Sequence, residues 1–234
     1  MTVTDVNVVK SAIFERPDDA NKGTLGSLLC VCGSYGMAGA AVMSAKGALR
    51  TGIGLAKCAL PRSIYPIVAQ TILESVYYPL SENADGRISK VNVPFLVSES
   101  CKSSATLVGC GLGVCDDTLK IVFSFIENST TPLVLDADAL NCVAKQPEIL
   151  LRKKAPIIIT PHPGEMSRLT GLATPLVNAE RERVALDFAQ KYGVVTVLKG
   201  AGTVIASPNG KVLVNPTGNS GMATGGSGDV LAGM

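Results

Sequence analysis

Short apolar runs of strand length alternate along this chain with longer stretches whose apolar residues recur at helical spacing. A parallel sheet with crossover helices imposes this pattern. Strands are predicted over residues 28–32, 53–60, 76–80, 105–108, 133–135, 157–160 and 194–198, and a late hairpin pairs 203–206 with 211–214 around Pro208-Asn209-Gly210. The first strand runs into Gly33-Ser34-Tyr35-Gly36 and then an alanine-rich helix over 38–50. Between Thr174 and Gly193 the residues Val184, Ala185, Phe188, Ala189 and Tyr192 keep helical spacing and Gly193 supplies a stop, so one helix is expected there. No internal repeat or linker interrupts the pattern, and SENADGRIS (81–89) reads as a polar loop. The chain therefore reads as one α/β domain over residues 1–234. At its end, Asp229 opens an apolar run that stops at Met234, within two turns of a helix, so the domain is expected to be cut short at its C-terminus.

Composition narrows the class. Hydrophobic residues make up 47% and charged residues 17%, a balance that suits a sheet covered on both faces. A net charge of +2 with no basic run leaves no electrostatic footprint for nucleic acid, so an anionic ligand needs a local site. Seven cysteines without repeated metal-ligand spacing read as buried thiols in a reducing compartment. The amino terminus lacks a signal-peptide core and no stretch reaches the roughly 18 apolar residues of a membrane span. A cytoplasmic protein off the membrane is expected, and its mean hydropathy of +0.33 points to a homo-oligomer.

The strongest candidate site is Gly221-Met222-Ala223-Thr224-Gly225-Gly226-Ser227-Gly228-Asp229. Small residues before a helix let backbone N–H groups converge on one cavity, and the helix dipole adds positive charge there, so phosphate is the natural occupant. Asp229 beside that anion hole is placed to accept the proton of an attacking hydroxyl; the plainer role is a helix N-cap. In Leu198-Lys199-Gly200-Ala201-Gly202-Thr203, glycines permit close ligand approach while Lys199 and Thr203 can meet phosphate or ribose; a plain β-turn with a solvated lysine fits the spacing equally. Thr160-Pro161-His162-Pro163-Gly164-Glu165 sits where a strand ends and a helix begins, with Pro163 near the first helical position and Glu165 in the first turn. His162, the only histidine, is a structural residue or one at the ligand-binding edge of the sheet. Gly109-Cys110-Gly111-Leu112-Gly113 is a poor dinucleotide fingerprint, because no acidic residue follows at the end of a second strand. Asp136 and Asp138 either bind Mg²⁺ through water or cap the next helix, and capping is the role expected of Asp138.

Taken in order, GSYGMAGA, GCGLG, LDADALN, TPHPGE, LKGAGT and GSGDVLAG resemble the NAD(P)H-hydrate dehydratases, from about Gly23 to the last residue. The resemblance implies a ribokinase-like, three-layer α/β/α fold around a mostly parallel sheet. It implies an ADP-dependent carbon–oxygen lyase that phosphorylates the added hydroxyl of NADHX or NADPHX and expels phosphate to restore NADH or NADPH. ADP or ATP would be the phosphoryl donor with Mg²⁺, and the assembly a homotetramer. The hydrated-nicotinamide site would fall on Ala40, Gly113, His162 and Asp229, with Asp229 the base. The nucleotide site would fall on Lys199, Gly200, Ala201, Gly202, Thr203 and Gly228, and the anion hole on Gly226, Ser227 and Gly228. Metal ligands are left unassigned. The chain departs from the family in Gly-Cys-Gly for Gly-Pro-Gly before Leu112, in Ser227 for threonine, and in ending several helices early, which would leave the adenine pocket half built. A ribokinase-like kinase of a hydroxymethylpyrimidine or thiazole alcohol would share GSGD, and a non-catalytic nucleotide-binding fragment is the reading from another class.

Overall fold

The computed structural model describes residues 2, 3, 10 and 15–234, so the amino-terminal reading falls largely outside the described residues. The strands are β1 (Thr2–Val3), β2 (Ser27–Val31), β3 (Leu55–Pro61), β4 (Val76–Leu80) and β5 (Ala105–Val108), followed by β6 (Leu133–Leu135), β7 (Ile157–Ile159), β8 (Val195–Leu198), β9 (Thr203–Ala206) and β10 (Val212–Asn215). They form one sheet in the order β1-β10-β9-β8-β7-β6-β5-β2-β3-β4. From β4 to β8 the pairing is parallel, while β9 is antiparallel to both β8 and β10. The β9–β10 hairpin turns at Ser207–Lys211, where Ser207 N donates to Lys211 O, as the Pro-Asn-Gly signal required.

The helices are α1 (Ala38–Thr51), α2 (Tyr65–Thr71), α3 (Val93–Cys101), α4 (Asp116–Asn128), α5 (Asp138–Val143), α6 (Pro163–Thr170), α7 (Thr174–Ala179), α8 (Arg181–Tyr192) and α9 (Ser227–Gly233). Strand residues alternate between two cores, since successive side chains of a strand point to opposite faces. Leu29 and Val31 join Phe125, Leu140, Met166 and Phe188 on one face, and Leu28, Cys30 and Cys32 join Ala41, Ala45, Ile64 and Ala232 on the other. Burial on both faces explains why the strands read as unbroken apolar runs. Of the seven free cysteines five are buried, Cys115 is partly covered and Cys101 is exposed.

The single helix expected over 174–193 is two helices. The chain breaks at Glu180 (φ −127°, ψ 41°), and α8 begins afresh at Arg181. The break turns the Arg181 side chain back under the sheet edge, where its Nη2 donates to Leu198 O (2.8 Å) and Lys199 O (3.2 Å).

Two features of the fold set the site. The chain lays β2, β3 and β4 outward in one direction, then crosses back to put β5 on the other side of β2. The crossovers therefore diverge at the carboxyl ends of β2 and β5, where open α/β sheets hold their ligands. The second feature is the seat of α9 on α1. A Cβ on Gly47 would stand 2.5 Å from Val230 O, and one on Gly233 only 2.0 Å from Ser44 O. The two helices approach this closely because neither position carries a side chain.

Candidate functional site

Loops from the carboxyl ends of β2 and β5 are bound to each other. Gly33 N donates to Cys110 O (2.8 Å) and Ser34 Oγ to Gly111 O (2.7 Å). Ala40, buried in the first turn of α1, packs on the same loop, with its Cβ 2.8 Å from where a Cβ on Gly111 would lie. Gly113 donates its N–H to Asp138 Oδ2 (2.7 Å). Asp138 therefore does not cap its helix: α5 has Ala137 at the N-cap and no side-chain cap, and Asp138 Oδ1 takes a hydrogen bond from Asn141 instead. Ala137 holds φ +50° and ψ −114°, among the described residues the one non-glycine position with positive φ. The bend aims the flanking carboxylates of Asp136 and Asp138 in different directions, and strain of this kind gathers at functional sites.

Asp136 is the hub. It is buried, and its Oδ1 accepts from Lys199 Nζ (2.6 Å) and Thr160 Oγ1 (2.7 Å) while Oδ2 accepts from Cys110 Sγ (3.6 Å). These donors leave the sheet from β8, β7 and β5. Lys199 is thus the partner of a buried carboxylate and not a solvated turn lysine. Its ammonium also lies 3.9 Å from Glu165 Oε2 and 3.6 Å from where a Cβ on Gly228 would stand, so it reaches the start of α9.

Histidine 162 is the N-cap of α6. His162 Nδ1 accepts from Gly164 N (3.0 Å) and Glu165 N (3.3 Å), and Glu165 Oε2 accepts from His162 N (2.8 Å), a capping box with histidine in the serine position. The acceptor role of Nδ1 leaves the ring proton on Nε2, 3.4 Å from Glu165 Oε1. Burial raises the Glu165 carboxyl above its ordinary range, and Lys199 opposes that rise. The imidazole is half exposed at the strand edge.

Asp229 is the third residue of α9, and the helix has Gly226 at its N-cap with no side-chain cap. The plain capping role of Asp229 is therefore ruled out. Its carboxylate, that of Asp136 and Cys110 Sγ lie within 4.8 Å of one another. Burial raises the Asp229 carboxyl above its ordinary range; the Cys110 thiol nearby opposes this and the charge of Asp136 adds to it. The first-turn N–H groups have no acceptor within α9; that of Ser227 donates to Thr224 O (3.4 Å), and Gly228 lies beside Lys199.

The turn from Lys199 through Gly200, Ala201 and Gly202 to Thr203 is moulded on Arg181, with Thr203 Oγ1 donating to Gly200 O (3.0 Å). A cleft of about 660 Å³ opens beside it, lined by Asn178, Arg181, Arg183, Ala201, Gly202 and Val214 among others. Sequence reasoning missed Arg181, because helical spacing continues across Glu180 and the only local signal was the acidic and basic run Glu180-Arg181-Glu182-Arg183.

The trio of Cys110, Asp136 and Asp229 does not suit Mg²⁺. A thiol is a soft ligand, Mg²⁺ demands hard oxygen donors, and the ammonium of Lys199 already neutralises Asp136. Asp138 is likewise engaged, so a Mg²⁺ ion would be carried by phosphate oxygens and water and not by a protein cage.

The chain is 41% identical over 218 residues to the bifunctional NAD(P)H-hydrate repair enzyme Nnr of Thermofilum pendens, covering 93% of this chain and 42% of that relative's length. The chain thus spans less than half of that protein. The crystal structure of ADP/ATP-dependent NAD(P)H-hydrate dehydratase from Bacillus subtilis, crystallised with ATP and Mg²⁺, superposes with a TM-score of 0.83 at 32% identity, covering 100% of this chain and 79% of that one. A ribokinase-like superfamily protein of Enterococcus faecalis, 23% identical, shares the fold with a TM-score of 0.84 over 99% of this chain and 77% of its own. The fold is ribokinase-like, and with the NAD(P)H-hydrate dehydratase family model matching residues 28–234, the chain belongs to that family.

Proposed function

We propose that this chain carries out ADP-dependent dehydration of (S)-NADHX and NADPHX to NADH and NADPH, as a carbon–oxygen lyase acting through a phosphorylated hydrate. The observation that carries this reading is the half-buried Asp229 in the first turn of a glycine-led helix, with Lys199 reaching the same helix start. A carboxylate there faces a transferring phosphoryl group, a repulsive arrangement unless a substrate hydroxyl stands between them.

In this reading Asp229 takes the proton of the hydrate hydroxyl as its oxygen attacks the terminal phosphorus of the nucleotide. The new O–P bond forms while the bond to the departing nucleotide breaks. Backbone N–H groups of Gly226, Ser227 and Gly228 and the ammonium of Lys199 stabilise the charge on the phosphoryl oxygens. Phosphate then leaves from carbon with the C–O bonding pair, a proton is lost from the neighbouring ring carbon to water, and the double bond returns. The nucleotide sits against Lys199, Gly200, Ala201, Gly202, Thr203 and Gly228, and the hydrated nicotinamide against Ala40, Gly113, His162 and Asp229. ADP or ATP supplies the phosphoryl group with Mg²⁺ as its counter-ion. We place the protein in the cytoplasm as a homotetramer. No helix among the described residues is long and apolar enough to cross a membrane.

The test is turnover of hydrated NADH with ADP and Mg²⁺, followed by the absorbance of the restored dihydronicotinamide. Accumulation of a phosphorylated pyrimidine or thiazole alcohol, with no restored dihydronicotinamide, would replace this reading with a vitamin-precursor kinase.

A further inference from the structure

The turn from Lys199 to Thr203 has its carbonyls gathered on one side chain. Arg181 Nη2 donates to Leu198 O (2.8 Å), Lys199 O (3.2 Å) and Gly202 O (3.4 Å), and Nη1 stands 2.9 Å from where a Cβ on Gly200 would lie. Gly200 at φ +147° and Gly202 at φ +66° let these carbonyls converge. The C=O of a trans peptide and the N–H that follows it point in opposite directions. With Lys199 O drawn to the guanidinium, the Gly200 N–H is turned away from it. The Gly200 carbonyl is held in turn by Thr203 Oγ1 (3.0 Å), which fixes the peptide that carries the Ala201 N–H. Neither Gly200 N nor Ala201 N meets an acceptor among the described residues. The charge of Arg181 is also unspent: it makes no ion pair among the described residues and its buried Nε has no partner, whereas Lys199 is bound to Asp136.

We infer that Arg181 is a positioning residue for the nucleotide, whose guanidinium gathers the carbonyls of the Lys199–Thr203 turn and so leaves the N–H groups of Gly200 and Ala201 free for phosphate or ribose oxygens. The inference rests on the nucleotide site proposed above and goes beyond it, because it assigns nucleotide affinity to a side chain beneath the turn. A turn with two glycines has many conformations to lose on binding. One whose donors are fixed beforehand spares the complex that ordering, so the arginine acts on affinity. The reacting end does not depend on it: the Lys199 ammonium is held by Asp136, and the N–H groups of Gly226 to Gly228 belong to the start of α9. A lysine in place of Arg181 would keep the charge but present a single ammonium on a flexible stem, without the planar fork that spans several carbonyls.

The experiment compares the parent with Arg181→Met and Arg181→Lys by thermal melting, by calorimetric titration with ADP and Mg²⁺, and by steady-state kinetics. Arg181→Met weakens ADP binding by about tenfold or more, the scale of one lost hydrogen bond to a charged group. The KM for ADP rises in step, while the KM for the hydrate and kcat at saturating ADP stay close to the parent's. Arg181→Lys falls between the two. Unchanged ADP affinity in Arg181→Met overturns the inference. So does a loss in which kcat and the KM for the hydrate deteriorate as much as ADP binding, the mark of a general loosening. Should Arg181→Met fail to melt cooperatively, Arg181→Lys decides: the same split between ADP affinity and kcat supports the inference, and parental affinity overturns it. The titration needs no turnover, so a parent that binds ADP through Arg181 yet restores no dihydronicotinamide would sink the proposed reaction and leave the positioning role standing.

Discussion

Lys199 and Asp136 are 63 residues apart in sequence and 2.6 Å apart in the fold, and their contact ties the end of β8 to the end of β6 across β7. Asp136 is almost wholly buried and the lysine nearly so. Removing one partner leaves an uncompensated buried charge, which costs about 3–5 kcal/mol, whereas replacing both with apolar groups is often neutral. Lys199→Met is expected to lower urea stability by about that amount, and adding Asp136→Leu to recover most of it. Neither variant should regain ADP affinity, measured by calorimetric titration, because the ammonium near Gly228 is gone in both. Recovery of binding in the double variant would make Lys199 a purely structural residue.

Asp229→Asn should separate stability from chemistry. Loss of a general base typically costs on the order of 10² to 10⁴ in rate, with nucleotide affinity retained because the loop keeps its shape. The same variant should be more stable than the parent at neutral pH. Burial raises the folded pKa of Asp229, so the native state holds that proton more tightly than the unfolded chain. Below the unfolded pKa of about 3.9 the group is protonated in both states and the penalty is absent; it grows as pH rises through the raised native value and then persists. The gain in Tm over the parent should therefore be present at pH 7 and vanish near pH 3. A variant no more stable than the parent at pH 7 would remove the desolvation argument.

Ala137 carries positive φ between two carboxylates that point to different partners. Such a conformation costs about 1–3 kcal/mol for a residue with a Cβ, and glycine relieves it at an entropic cost of about 0.5–1 kcal/mol. Ala137→Gly is expected to raise stability by about 1 kcal/mol in urea unfolding with turnover little changed. A clear loss of stability would show that the surroundings do not impose the strain.

The nucleotide phosphates meet backbone N–H groups and one lysine that is already paired, which leaves most of their charge unneutralised. Turnover should fall to background in excess EDTA and return with Mg²⁺ in excess of the chelator. Full activity in EDTA would mean that the protein supplies the missing positive charge itself.

Much of this was legible from spacing. The apolar runs placed every strand from β2 to β10 to within a few residues, because strands buried on both faces must be continuously apolar, and glycines after strands marked where the chain turns at the carboxyl edge. The motif order also pointed to Lys199, His162 and Asp229. Three things were hidden. The break at Glu180 leaves helical periodicity intact, so Arg181's return to the Leu198 and Lys199 carbonyls could not be read. Asp138 has the composition of a cap but spends its oxygens on Gly113 and Asn141, a tertiary choice with no local signal. Cys110 looked like one small residue among glycines until folding brought Asp136 and Asp229 to its sulfur.

Cys110, Asp136, Thr160 and Lys199 leave the sheet from four strands that lie side by side in chain order, β5 to β8. Detaching the last of these would strip Asp136 of its cation while the carboxylate stayed buried, so a partly frayed chain is penalised at the very point where it would lose function. Such coupling makes catalytic competence an all-or-none property of the sheet: in a denaturant series, ADP affinity and ellipticity should disappear along one superimposable curve, with no half-assembled species that still binds.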